Sequence, residues 1–202
     1  MPNEHFADPL THFQVLVVKK SPGENISVED HGNWRPKELA KRALIYHSAR
    51  REHDRCDHDR NDFLRLLYIS SGLSVVGEFA KDDRVTLLYT AKDDKTVDIG
   101  HLISIVLARS RIPHDFKVEL KISDGYHEGE IKAVRIKDNL YFFLSSLDNR
   151  VNLRHVKSLA FVIINDTCKD VSFRGCSTLF ESIYSTSCEE KREKDCKDKD
   201  DE

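Results

Sequence analysis

The sequence predicts a single α+β domain, in which a mixed β-sheet packs against helices. Stretches with helical apolar spacing occur in the first half of the chain, and alternating or β-branched stretches dominate the second half. A length of 202 residues suits one hydrophobic core, and 39% hydrophobic residues exclude a wholly disordered chain. We therefore expect one folded domain with polar ends.

Residues 1–36 are expected to form a strand and a loop. Residues 13–19 are β-branched and compact, and the breakers Pro22 and Gly23 follow them. From Lys37 onwards, helix formers place apolar side chains at helical spacing with basic groups on the other face. This pattern predicts a basic amphipathic helix at the start of a domain that spans residues 37–186.

The middle of the domain is predicted to contain a buried helix and a hairpin. Apolar residues recur at helical spacing over 63–79, although Gly72 and the β-branched pair at 75–76 leave a strand possible. Residues 84–90 and 96–100 predict two strands joined by a turn at 92–95. Residues 51–62 contain no large aliphatic side chain, so they are solvated or line a polar site.

The second half is predicted to be mostly sheet after one more helix. Residues 101–111 place apolar side chains on one helical face and stop before Pro113. Three strands are expected over 116–122, 131–136 and 140–144, with a turn at Asp124-Gly125. Residues 154–164 are ambiguous, and the charged segment 187–202 predicts a disordered tail.

Charge and cysteine usage exclude several classes of protein. The tail holds eight acidic and five basic residues, which accounts for the net charge of −3, while a basic patch over 35–51 could meet phosphates or be a solvated face. The five cysteines form no CxxC pair, so free thiols are favoured over a disulfide framework or a zinc site with His155. No apolar run approaches the ~20 residues of a spanning helix, and no signal-peptide pattern opens the chain. We therefore expect a cytoplasmic or nuclear protein that does not associate with a membrane.

Carboxylates are the candidate catalytic residues. The sequence contains no phosphate-binding glycine loop, dinucleotide fingerprint, HExxH motif or nucleophile elbow. Glu52 and Asp57 lie five residues apart in the polar segment, and Asp93 and Asp94 lie at the predicted hairpin tip. Three converging carboxylates would hold Mg²⁺ or Mn²⁺ for phosphodiester hydrolysis. The alternative is an exposed polar segment and an ordinary Asp-containing turn.

The order of elements over about residues 48–160 resembles the Schlafen (AlbA_2-type) domain. The resemblance rests on Gly77-Glu-Phe-Ala-Lys, a Val-Thr-Leu-Leu-Tyr strand, a Lys-Asp-Asp-Lys turn and Val-Asp-Ile-Gly. It implies a metal-dependent endoribonuclease, or a subunit of one, that processes small structured RNA such as transfer RNA or a small-RNA precursor. Members of this family commonly join two lobes, so a homodimer or hetero-oligomer with a second Schlafen-like lobe is implied.

The resemblance also assigns roles to individual residues. Glu52 matches the first acid, Asp57 the second, and Asp93 or Asp94 the third, while the RNA backbone would be held by Lys41, Arg42, Arg50 and Arg51. Two positions depart from the family pattern: Asp57-His58-Asp59 replaces Glu-Phe-Lys, and Asp83-Arg84 replaces Gly-Gly. These departures lead to an alternative, a catalytically silent lobe that serves as an RNA-binding or scaffold subunit of a larger complex.

Overall fold

The described part of the chain is a β-sandwich of two antiparallel sheets. The computed structural model describes residues 9–20, 27–33 and 63–189. Twelve strands lie in these ranges: β1 (Phe13–Lys20), β2 (Ser27–Asn33), β3 (Phe63–Phe79), β4 (Arg84–Ala91), β5 (Leu102–Ala108), β6 (Lys117–Ser123), β7 (Glu128–Lys132), β8 (Val134–Ile136), β9 (Asn139–Phe143), β10 (Ser158–Ile164), β11 (Val171–Phe180) and β12 (Ser182–Glu189).

One sheet has five strands and the other has seven. The five-stranded sheet has the order β1-β4-β10-β6-β7, and the seven-stranded sheet has the order β11-β3-β12-β5-β9-β8 with β2 paired to β3. β12 and β11 pair with successive halves of β3, which meet near Gly72. A Cβ atom at Gly72 would lie 3.1 Å from the carbonyl oxygen of Glu181, so glycine permits this close approach of two strands.

The core fills the space between the two sheets. In β4 the odd-numbered side chains Val85, Leu87 and Tyr89 are buried, and even-numbered ones are exposed or half-buried. Phe161 in β10 contacts Phe142 of the other sheet. The two rings pack edge to face, with their centroids 5.3 Å apart. Each fully buried side chain of this size stabilises the fold by about 1.5–3 kcal/mol, so these two aromatics help to fix the sheets against each other.

The predicted α+β class is wrong, because the described residues form strands where helices were expected. Residues 63–79 are β3, and the predicted helix at 101–111 contains β5. Every residue of β5 is buried, so both of its faces are covered and the run Leu-Ile-Ser-Ile-Val-Leu-Ala lacks the alternation of a half-exposed strand. Within the described ranges, helical structure is limited to 3-10 turns of three or four residues.

The predicted hairpin over 84–100 is also wrong. β4 forms as expected, but it pairs with β1 and β10 rather than with residues 96–100. Of that second segment, only Val97 makes a bridge, and its partner is Val156. Pairing with strands distant in sequence cannot be deduced from the turn at 92–95, because local turn chemistry does not reveal a non-local partner.

The strands predicted over 116–122 and 140–144 are confirmed as β6 and β9, each within one residue. The single strand predicted over 131–136 is wrong, because β7 ends at Lys132 in the five-stranded sheet and β8 begins at Val134 in the seven-stranded sheet. The ambiguous segment 154–164 contains β10. The disordered tail predicted over 187–202 is wrong for its first three residues, because β12 continues to Glu189 and pairs there with β3. Residues 190–202 lie outside the described residues. The predicted basic helix from Lys37 lies outside them too. The described residues contain no helix long and apolar enough to cross a membrane.

Candidate functional site

Three connections meet at one end of the sandwich, which we call the loop end. They are residues 92–101 after β4, residues 124–127 after β6 and residues 144–157 after β9. Val97 and Val156 exchange two backbone hydrogen bonds of 2.9 and 3.0 Å, and the Lys157 N–H donates to the Ser123 carbonyl at 2.8 Å. These bonds tie the long connection before β10 to both of the others, so the loop end is one connected surface.

The carboxylate of Asp124 holds the turn between β6 and β7. Its Oδ1 accepts the backbone N–H groups of Tyr126 at 2.8 Å and His127 at 2.6 Å, and its Oδ2 accepts that of Asn152 at 2.9 Å. These three amides, first that of Asn152, lower the pKa of the Asp124 carboxyl to about 2. The turn is therefore fixed by a carboxylate that is ionised at any physiological pH.

Tyr126 stands at the tip of this fixed turn. Its side chain is the most exposed large hydrophobic group of the described residues, with 92% of its surface accessible. The preceding Gly125 has φ of 90°, a conformation that side chains other than glycine rarely adopt. The stem of Lys157 packs beside Gly125, with its carbons 3.4–3.6 Å from the position of an added Cβ atom. The loop end thus presents an aromatic ring to solvent from a turn whose backbone is held by hydrogen bonds.

Carboxylates and cations of the loop end are used differently. Asp98 accepts the Gly100 N–H at 2.9 Å, and Asp148 accepts the backbone N–H and the guanidinium of Arg150 at 2.8–3.0 Å. In the described ranges, neither Arg154 nor Lys157 has a carboxylate within 4 Å. Asp98, Asp124 and Asp148 are therefore engaged with backbone amides, while Arg154 and Lys157 are exposed and have no ion-pair partner in the described ranges.

Three histidines also lie at the loop end. Burial lowers the pKa of His101, although nearby Asp98 opposes the shift. The Nδ1 atom of His155 lies 3.2 Å from the hydroxyl oxygen of Thr96, within hydrogen-bonding distance. His127 Nδ1 lies 3.7 Å from Asp124 Oδ2, which is an ion-pair distance rather than a hydrogen bond.

Asp93 and Asp94 are the two predicted catalytic residues that the structure describes. Both are exposed in the turn that follows β4, and both have left-handed backbone conformations with φ of 57° and 54°. The other predicted acids, Glu52 and Asp57, lie outside the described residues, as do the predicted RNA-binding residues Lys41, Arg42, Arg50 and Arg51.

The predicted Mg²⁺ or Mn²⁺ site stays a prediction. Across 9–20, 27–33 and 63–189, no group of three or more His, Cys, Asp or Glu side chains is placed to hold a metal ion. Asp93 and Asp94 supply carboxylate oxygens, which are the ligands that such ions prefer. With Glu52 and Asp57 outside those ranges, the structure does not test the complete predicted ligand set.

Sequence reasoning missed Tyr126 and its supporting Asp124. It recognised Asp124-Gly125 as a turn, but an isolated tyrosine two residues later does not reveal whether its ring is buried or exposed. The only available signal was an aromatic residue directly after an Asp-Gly turn between two strands. The contacts that support this turn come from Asn152 and Lys157, in the connection before β10.

No protein-family model matches the sequence, and no curated protein matches it. One similar solved structure is a family 11 carbohydrate-binding module from Clostridium thermocellum in complex with a β-1,3-1,4-mixed-linked tetrasaccharide. It is 10% identical, with 86% of this chain and 92% of that chain covered and a TM-score of 0.32. A likeness this weak carries no argument about the function of this chain, whose fold is described from its own strand pairing.

Proposed function

We propose that this protein binds single-stranded RNA through the loop end, as a catalytically silent subunit. The observation that carries the proposal is Tyr126, whose ring is 92% exposed on a turn fixed by three hydrogen bonds to Asp124. Exposed aromatic rings are the surfaces on which single-strand-binding proteins stack bases.

The fixed turn favours binding by this ring. Ordering a flexible side chain or loop on binding costs free energy, and a surface that is already ordered avoids part of that cost. Asp124 immobilises the backbone of the tip through Tyr126 and His127, and Asn152 joins the tip to the next connection. A base that stacks on Tyr126 therefore meets a surface with little backbone freedom left to lose.

The available cations favour a ligand with phosphates over a neutral one. The Lys157 stem lies against Gly125, next to Tyr126 in the chain, and Arg154 lies in the same connection. Neither has an ion-pair partner in the part of the chain that the structure describes. A stacked base and two neutralised phosphates together account for this combination of side chains.

The central test measures binding of a labelled oligouridylate of about ten nucleotides, a typical site size for such modules. Fluorescence anisotropy of the intact protein should show saturable binding. Tyr126→Ala should weaken it by about 1–3 kcal/mol, the usual contribution of one stacked base. Tyr126→Phe keeps the ring and should bind nearly as well. Equal binding by the Ala variant would overturn the role of Tyr126.

A second pair of variants tests the phosphate contacts. Lys157→Glu should weaken binding and reduce its salt dependence, because one released counterion contributes about 0.7 to the slope of log K against log salt for a single strand. Lys169→Glu is the matched control, since Lys169 is exposed in the β10–β11 connection, away from the loop end. A salt-independent ligand such as a soluble neutral glucan, bound in preference to RNA, would contradict the proposal.

The endoribonuclease prediction is tested with the same materials. Oligouridylate and transfer RNA are incubated with the protein and Mg²⁺ or Mn²⁺, then resolved on a gel. Intact RNA is expected. Metal-dependent cleavage that Asp93→Asn/Asp94→Asn abolishes would instead assign a nuclease and its third acid, and would overturn the catalytically silent role.

A further inference from the structure

We infer that the loop end selects RNA over DNA, because the hydroxyl of Thr96 accepts a hydrogen bond from a ribose 2′-hydroxyl. The inference rests on the proposed function, since it assigns to the same surface the residue that recognises the sugar. The 2′-hydroxyl is the group by which a protein distinguishes RNA from DNA at a given site. Thr96 and His155 are both exposed, and Thr96 Oγ1 lies 3.2 Å from His155 Nδ1.

Backbone pairing positions Thr96 beside Lys157. Val97 and Val156 form an antiparallel bridge, which sets Thr96 opposite Lys157 on the neighbouring connection. Both valines are buried, whereas Thr96 and Lys157 are exposed on the other side of this short ladder. The Lys157 stem in turn packs beside Gly125, in the turn that carries the exposed aromatic ring. The ring, the cation and the hydroxyl therefore belong to neighbouring parts of one surface.

This arrangement matches the parts of one nucleotide. In the proposed complex a base stacks on Tyr126 and a phosphate meets Lys157. The sugar joins the base to the phosphate, so it lies against the remaining polar groups of the surface. The exposed hydroxyl of Thr96, opposite Lys157, is the group that this sugar contacts.

The hydrogen-bonding capacity of Thr96 suits a hydroxyl donor. A hydroxyl group has one donor and two lone pairs. Its single side-chain hydrogen bond in the described ranges is with His155, and this leaves at least one lone pair whichever atom donates. A ribose 2′-hydroxyl supplies the hydrogen that this lone pair accepts, and a deoxyribose has none to supply.

The neighbouring charge favours a sugar over a second phosphate at this place. Across the same bridge, Asp98 lies opposite His155, and its Oδ1 accepts the Gly100 N–H at 2.9 Å. The Asp98 carboxylate repels a phosphate but not an uncharged hydroxyl. A ribose hydroxyl is therefore the part of the ligand that fits beside Thr96.

The experiment compares two ligands of equal length and base, oligouridylate and oligodeoxyuridylate, by fluorescence anisotropy with the intact protein. Oligouridylate should bind about two- to tenfold more tightly, which corresponds to one net hydrogen bond. Oligouridylate with 2′-O-methyl groups lacks the hydrogen that Thr96 accepts, so it should bind no more tightly than the DNA oligomer. This ligand tests the contact without any change to the protein.

A matched pair of variants assigns the preference to one side chain. Thr96→Val keeps the shape but lacks the hydroxyl, so the ratio of RNA to DNA affinity should fall to about one. Thr86→Val makes the same change at a half-buried position in β4, away from the loop end, and should keep the ratio of the unsubstituted protein. Melting curves of both variants confirm that they are folded.

The outcomes separate this inference from the proposed function. Equal binding of the RNA and DNA oligomers, undiminished binding of the 2′-O-methyl oligomer, or a preference that survives Thr96→Val would each overturn the inference, while RNA binding through Tyr126 stands. If the protein binds no oligouridylate, the proposed function fails and the inference fails with it.

Discussion

The two ends of the sandwich are held by the same kind of bond but expose different groups. At the loop end, buried Asp124 accepts three backbone N–H groups and leaves Tyr126 exposed. We call the other end the closed end. There, the β3–β4 turn and the β10–β11 connection meet at Asn165, which is fully buried.

Asn165 binds both segments of the closed end. Its Nδ2 donates to the carbonyl oxygens of Phe79 at 2.8 Å and Lys169 at 2.9 Å, and its Oδ1 accepts the Thr167 hydroxyl at 2.6 Å. Beside it, the buried Asp83 carboxylate accepts the Ala80 N–H at 3.0 Å. The comparison shows that a buried polar side chain can have two roles. It can join the segments that close one end of the sandwich, as Asn165 does, or support a turn with an exposed tip, as Asp124 does.

The largest expected effect on stability comes from Asn165→Ala. The substitution leaves the carbonyl oxygens of Phe79 and Lys169 without this donor, and the free energy of unfolding should fall by about 2–3 kcal/mol. Denaturant titration measures the loss. The matched control is Asn152→Ala at the loop end, which removes one exposed bond to the Arg154 N–H and should cost under about 1 kcal/mol. Similar losses at both ends would contradict the comparison.

The next effect comes from Gly129→Ala, beneath the loop end. An added Cβ atom would lie 2.5 Å from Leu147 Cδ1 and 3.1 Å from Val151 Cγ2, both in the connection before β10. Overpacking of this kind costs about 1–3 kcal/mol, measured by the same titration. Lys132→Ala on the exposed side of β7 is the control, with a change within about 0.5 kcal/mol. An unchanged Gly129→Ala protein would show that this connection can move away freely.

A smaller, pH-dependent effect is expected from Asp124. Because the pKa of its carboxyl is lowered to about 2, Asp124 stabilises the fold above pH 4. This stability is lost as the pH falls from about 4 towards 2. Asp124→Asn replaces an acceptor of the Asn152 N–H by a donor, so the melting temperature at pH 7 should fall by several degrees. Melting curves from pH 2 to 7 should be flatter for the variant, and parallel curves would contradict the assignment.

The smallest effect is expected from His101. Burial lowers the pKa of its imidazole in the folded state, so the unfolded chain binds the proton more readily. The stability contribution is therefore complete above about pH 6.5 and declines as the pH falls below that value. His101→Gln should remove part of the decline in melting temperature between pH 7 and pH 5.5. If the variant and the unsubstituted protein show the same decline in melting temperature, other groups cause that decline.

Local patterns were sufficient for much of the five-stranded sheet. β1 and β6 were predicted within a residue or two, because their β-branched or alternating residues are typical of strands. The same reasoning failed for β3 and β5. β3 has apolar residues at a spacing that fits a helix, and β5 is apolar on both faces, so neither shows the period of two that identifies a strand.

The candidate site was less predictable than the fold. The sequence drew attention to Asp93 and Asp94, which the structure places in an exposed turn of the loop end. It gave no reason to single out Tyr126, because the contacts that support its turn come from Asn152 and Lys157, about 25 to 30 residues further along the chain.

The sequence by itself determined the strands β6 and β9, the Asp124-Gly125 turn and a core large enough for one domain. These features depend on side-chain alternation, glycine conformation and apolar content, which are local or additive properties. Only the tertiary structure decided that β4 lies between β1 and β10, that β5 is a strand, and that Tyr126 faces solvent. Strand partners and exposure depend on which distant segments meet, and a local pattern contains no information about that.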